Sequence, residues 1–238
     1  MPVMSVRPSR LYVRRFNDNY QYHAGGPHDD LPTDWQQLLG VWIGVDRGTL
    51  HLVEAGIQPD LAVGDFDSLT LSELRDVREH VKKIQQVPSE KDDTDTELAV
   101  KAALQCFSTG DVIILGATGG RLDHFLSNLF LPLQSRFLPA IERIHLLDVQ
   151  NRVDYYAPGV HEIQPLPGYR YVAVVNLTPI TDLTITGAKY PLKAWDNASP
   201  FSWASNEFVG TKPFTVSWTK GVVAIVYSRD RRGQKVDN

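Results

Sequence analysis

The stretch AVGDFDSL, Ala62 to Leu69, sets Asp65 and Asp67 one residue apart, just past a short apolar run that ends in glycine. In extended backbone, residues i and i+2 point to one side, about 6–7 Å apart. At an effective dielectric near ~20 their repulsion is about 2–3 kcal/mol, so the pair calls for a cation, a shared proton or water. Hard carboxylate oxygens suit Mg2+, which keeps several waters and takes one or two carboxylates together with substrate phosphates. The plainer alternative is that Asp67 and Ser68 open the next helix and Asp65 is a solvated turn residue.

Two further loops carry similar chemistry. SEKDDTDTE, Ser89 to Glu97, offers Asp92, Asp93 and Asp95, with Asp95 in the first turn of a helix, where the macrodipole favours any carboxylate. Lys91 could neutralise these acids or reach a phosphate as a point charge. GATGGRLDH, Gly116 to His124, is a glycine-rich turn between strand and helix. Gly119 and Gly120 would let backbone N–H groups approach an anion, and Arg121 could grip phosphate oxygens in bidentate fashion. This loop matches neither the P-loop nor the dinucleotide pattern, and His124 reads as a helix or core residue. Asp46 closes a third apolar run, VWIGVD. No nucleophile elbow, H-E-x-x-H or reactive cysteine is present. Acids and phosphate-cradling loops without a protein nucleophile fit a reaction whose substrate supplies the attacking group.

The elements that must position these loops alternate. Val41–Asp46 reads as a buried strand and Arg47–Ala55 as a helix closed by Gly56. Leu61–Gly64 is a strand, and Thr70 with Glu73 forms a capping box that opens a helix to about His80. Val81–Val87 reads as a half-exposed strand, and Thr94 with Glu97 caps a helix through about Phe107, with Leu98, Ala102 and Leu104 among its apolar positions. Asp111–Gly116 is a buried strand, followed by a helix from about Leu122 to Phe130 and a strand at Arg143–Asp148. This pattern predicts an α/β domain, a mostly parallel sheet flanked by helices. Ligands of such sheets bind beyond the carboxyl ends of the strands, where all four features fall. The segment NYQYHA looks too polar for a central strand. Near residue 150 the pattern changes to YRYVAVVNL, LTITGAKYPL, FTVSW and VVAIVYS, predicting a smaller all-β sandwich domain. The expected organisation is 1–18 as an N-terminal extension, 19–150 as the α/β domain and 151–238 as the sandwich.

Composition is ordinary for a globular chain of 238 residues: 42% hydrophobic, 22% charged, net charge -4 and pI near 6.0. That balance argues against bulk nucleic-acid binding. No apolar run reaches membrane-spanning length, and the lone Cys106, which permits no internal disulfide, reads as a small core residue rather than a reactive thiol. A cytoplasmic setting, with no nucleic-acid or membrane partner, is the expectation.

Taken together and in order, GDFDS, EKDDTDTE and GATGGRLDH, followed by a β-rich domain carrying SNEF, resemble thiamine pyrophosphokinase of the bacterial type over roughly Ala24 to Asp230. The resemblance implies an α/β catalytic domain, a thiamine-binding β-sandwich, and Mg2+-dependent transfer of pyrophosphate from the co-substrate ATP to thiamine, releasing AMP. It also implies a homodimer with active sites at the subunit interface. On this chain it implies that Asp65, Asp67, Asp92 and Asp95 hold the metal, with Asp123 beside them in catalysis. Asp46, Ser68, Lys91, Asp92, Gly119, Gly120, Arg121 and Asn128 serve the nucleotide, and Ser205 and Asn206 the thiamine. Trp203, Phe208 and Trp218 are candidates to lie against the thiamine rings, where a cation over an aromatic face gains about 0.5–2 kcal/mol. Either Asp95 or Asp123 could accept the hydroxyl proton. Two other readings stand beside it. One is a D-x-D phosphohydrolase with Asp65 as nucleophile; the other is a nucleotide-binding module without catalysis.

Overall fold

In the computed structural model of this chain, the residues described are 20–23, 26–88, 92–106 and 109–230. Lys91 and Phe107, both named above, lie outside them, as does the 1–18 segment. The described residues divide into two compact units, with the break between Val149 and Gln150.

In the first unit, β1 (Tyr20–His23), β2 (Val41–Val45), β3 (Leu61–Gly64), β4 (Ile84–Gln86), β5 (Val112–Leu115) and β6 (Ile144–Leu147) line up in the order β6-β5-β1-β2-β3-β4. Every pairing in this set is parallel. The polar β1 is nevertheless central, in register with both Val41–Gly44 and Val112–Leu115. Its two neighbours, β2 and β5, are nearly continuous apolar runs, the pattern of strands covered on both faces. On one face, Trp42 and Leu52 cluster with Leu31, Trp35, Ile113 and Leu115.

Helices α1 (Arg47–Glu54), α2 (Leu71–His80), α3 (Asp95–Cys106) and α4 (Leu122–Phe130) follow β2, β3, β4 and β5 in turn. Gly56 closes α1 with φ of 75°. Both capping boxes form: Glu73 N–H donates to Thr70 and Thr70 N–H to Glu73, and Thr94 and Glu97 exchange the same pair of bonds. On α3 the buried face is Thr96, Glu97, Ala99, Val100 and Ala103. Leu98, Ala102 and Leu104 are only half-buried. Cys106 is exposed in the last turn rather than in the core, because it lies past the end of that face.

The second unit is wholly antiparallel where it pairs. One sheet runs β7 (Asn151–Tyr156), β14 (Val223–Ser228), β9 (Tyr171–Asn176) and β12 (Phe201–Glu207); the other runs β11 (Leu192–Asn197), β10 (Ile180–Thr186), β13 (Phe214–Trp218) and β8 (Gly159–Ile163). Val172, Val174, Ile225 and Tyr227 of the first sheet share a core with Ile163, Leu183, Ile185, Val216 and Trp218 of the second. Strand pairing over the described residues is therefore mixed: the expectation of a mostly parallel sheet holds within the first unit, and the antiparallel pairs belong to the second.

Candidate active site

Parallel strands in one sheet put all their carboxyl ends on one edge, so the loops after β2, β3, β4 and β5 emerge together. Asp46 leaves β2 with φ of 46°, in the left-handed region that non-glycine residues seldom occupy. Its Oδ1 accepts a hydrogen bond from Phe66 N–H at 3.2 Å, which ties the loop after β2 to the loop after β3. Gly64 permits this approach, since a Cβ there would stand 2.2 Å from Asp46 Oδ1. Arg47 secures the same loop from the other side, donating to the Ser68 carbonyl at 2.7 Å and pairing with Glu73 at 3.5 Å.

Residues 65–67 are not extended. Phe66 takes φ of 60° and buries its ring, so the chain turns sharply between the two acids. Asp67 N–H donates to Asp65 Oδ1 at 3.1 Å, and the Asp67 side chain is exposed. The acids that do meet come from three loops. Burial pushes the Asp46 carboxyl up to about 7, helped by the charge of Asp95, a side-chain hydrogen bond with Asp95 and the charge of Asp65, and opposed by the Phe66 N–H. Asp46 thus meets Asp95 through a side-chain hydrogen bond and lies within electrostatic reach of Asp65, whereas Asp67 is not among the groups that act on it. Asp92 is exposed. Among the described residues, no three His, Cys, Asp or Glu side chains form a group that could hold a metal ion.

The glycine-rich loop is built against the segment after β1. A Cβ on Gly119 would stand 2.0 Å from Asp30 Oδ2, and φ there is 75°. A Cβ on Gly26 would stand 2.3 Å from the Gly116 carbonyl oxygen. Asn128 is buried and donates to the Ala117 carbonyl at 3.1 Å, and Thr118 donates to Asp148 at 2.7 Å. Asn128 therefore shapes the loop from beneath. Arg121 and Asp123 are exposed and paired, Nε to Oδ1 at 3.1 Å and Nη2 to Oδ2 at 2.5 Å. The arginine holds the Asp123 carboxyl below its ordinary range, which makes Asp123 a poor proton acceptor. An incoming phosphate would compete with Asp123 for that guanidinium.

In the second unit the residues expected to touch thiamine separate into two kinds. Asn206 is buried, and its side chain accepts from Tyr190 N–H and Glu207 N–H and donates to the Tyr190 carbonyl, all at 2.8–3.0 Å. It fastens the 188–190 turn to β12. Trp218 is a core residue, 2% exposed with its indole N–H on the Gly221 carbonyl, and Phe208 is half-buried and packs against that core on Phe214 and Tyr227. Trp203 differs. It meets Trp195 and Phe201, with centroids 5.1–5.4 Å apart within the trio, and its buried indole N–H has no hydrogen-bond partner. Beside it a register shift between Trp203 and Asn206 raises Ser205, at φ of 57°, into solvent. Trp195 and Asp30 were not singled out in the sequence because neither sits in a recognisable motif.

Carboxylates and a glycine-rich turn on the functional edge of a parallel sheet define a phosphate-handling α/β unit, here followed by an antiparallel sandwich. Residues 35–140 match the family description "Thiamin pyrophosphokinase, catalytic domain", and residues 160–223 match "Thiamin pyrophosphokinase, vitamin B1 binding domain". A thiamine pyrophosphokinase of Bacillus subtilis (strain 168) is 37% identical over 212 residues, covering 87% of this chain and 97% of that protein. Crystal structures of an Enterococcus faecalis thiamin pyrophosphokinase family protein and of Bacillus subtilis thiamine pyrophosphokinase superpose with TM-scores of 0.86 and 0.77, at 43% and 33% identity. Each covers 90% of this chain and 100% of its own. The chain belongs to the thiamin pyrophosphokinase family.

Proposed function

We propose that this chain moves the diphosphoryl group of ATP onto the hydroxyl of thiamine, giving thiamine diphosphate and AMP. The observation that carries the reading is the hydrogen bond of Asp46 with Phe66 N–H, which joins the loops after β2 and β3 beside Asp95 on the sheet edge that also bears Gly119, Gly120 and Arg121. Membership of the family and the names of its relatives support it. They also speak against the D-x-D phosphohydrolase and the non-catalytic module.

The cluster fits Mg2+. Its donors are hard oxygens, and Mg2+ needs only one or two carboxylates beside phosphates and water. Asp65 and Asp95 would hold the ion, with Asp67 and Asp92 at the exposed rim of the same two loops. When bound, it neutralises charge on the phosphates. Gly119 and Gly120 N–H groups and Arg121 bind the remaining phosphate oxygens. The thiamine oxygen bonds to the β-phosphorus as the bond from that phosphorus to the bridging α-phosphate oxygen breaks, and AMP departs in line. A carboxylate of this sheet edge takes up the hydroxyl proton. Ser205 and the Trp195–Phe201–Trp203 cluster are assigned to thiamine, presented in a homodimer with active sites at the subunit interface.

The test is product identity. Incubation with thiamine, ATP and Mg2+ is expected to yield AMP and thiamine diphosphate in equal amounts by chromatography; ADP with inorganic phosphate would point to hydrolysis instead.

A further inference from the structure

Beyond the acids themselves, the loop that carries Asp92 and Asp95 is clamped by a residue far from it in sequence. Arg136 Nη1 donates to Asp93 Oδ2 at 2.8 Å and Nη2 to Asp93 Oδ1 at 2.7 Å, a bidentate pair. Its Nε donates to Gln134 Oε1 at 2.8 Å. Gln134 in turn donates to Glu97, which is buried, lies 3.5 Å from Arg136 Nη2, and accepts the Thr94 N–H. The guanidinium lies 4.7 Å from the centroid of the Phe137 ring, itself buried. All three nitrogens are thus used, and the fork holds both Asp93 and the capping box from which Asp95 starts α3. The segment that supplies Arg136 follows directly from α4, the helix opened by the glycine-rich loop.

We infer that Arg136 is a positioning residue: acting through Asp93 and Glu97, it fixes the acidic loop relative to the helix of the phosphate loop. This rests on the function proposed above. Without the clamp, the loop keeps its carboxylates but loses the orientation in which Asp95 meets Asp46. Lysine cannot replace the fork, because its compact ammonium lacks the planar geometry that matches the Asp93 carboxylate in bidentate fashion.

The test compares wild type with Arg136→Ala, Arg136→Lys and Asp93→Asn in two measurements. Steady-state turnover is expected to show a fall in kcat of about 10–100-fold, with a matching rise in the Mg2+ required for half-maximal rate, as for other outer partners of metal ligands. KM for thiamine should stay within about twofold, and Arg136→Ala should regain part of its rate with added guanidinium. Amide hydrogen exchange of residues 92–97, without ATP or thiamine, should quicken in all three variants while β5 and β13 keep their protection. Rates, Mg2+ requirement and exchange all indistinguishable from wild type would overturn the inference. So would a loss that tracks global unfolding and resists guanidinium in every variant. If wild type shows no transfer at all, the proposed function fails, while the exchange experiment still decides whether Arg136 clamps the loop.

Discussion

The two units use motif residues in opposite ways. In the first, Asp46, Asp65, Asp95, Gly119, Gly120 and Arg121 lie in the segments that follow the strands, outside the strand pairing that builds the sheet. In the second, the motif residues sit within strands, where alternate positions face the core. Asn206 and Trp218 belong to the architecture there, while Ser205 escapes only because a bulge lifts it out. The lesson is that a motif in a loop of a βα unit reports function more directly than one inside an antiparallel strand.

That contrast can be broken most sharply at the acids. Asp95→Asn should lower turnover by about 10²–10³-fold, the scale for losing one preorganised electrostatic group, with the thermal midpoint held or raised; Asp67→Asn, outside the cluster, should cost far less. Equal losses from both would erase the distinction between clustered and exposed acids. In the second unit, Trp218→Ala should cost stability, about 3–5 kcal/mol in denaturant titration as for other large core truncations. Trp203→Ala should instead raise KM for thiamine by roughly 2–30-fold, the range of a cation over an aromatic face.

A pH experiment separates the regions again. Asp46 titrates near 7 when folded, against 3.8 for an ordinary aspartate. A group raised on folding contributes stability in full at low pH and loses it as pH rises through the folded value. Compared with Asp46→Asn, the metal-free protein should therefore lose thermal stability between about pH 4 and 7, and Mg2+ with ATP should restore more of it at pH 8 than at pH 5. The smallest effect is local: Thr70→Ala removes the α2 capping box and should cost about 1 kcal/mol with little change in turnover.

Much of the first unit was legible because its signals are local. Capping boxes at Thr70 and Thr94, and the apolar runs of β2 and β5, each follow from a few adjacent residues. The central place of β1 was not, since its polar sequence hides a position set by pairing with Val41–Gly44 and Val112–Leu115. The spacing of Asp65 and Asp67 suggested a matched pair, but Phe66 buries its ring and turns the backbone between them. Arg136 carried no sequence signal, being 43 positions from Asp93 in a segment without periodicity.

Calorimetric titration of Mg2+ in the presence of a non-hydrolysable ATP analogue, on wild type, Asp65→Asn, Asp95→Asn and the double variant, addresses the shared site most directly. If these carboxylates serve one ion, each single change should weaken binding by about 10-fold or more and the double change by less than the product of the two. Undiminished Mg2+ binding in both single variants would contradict it.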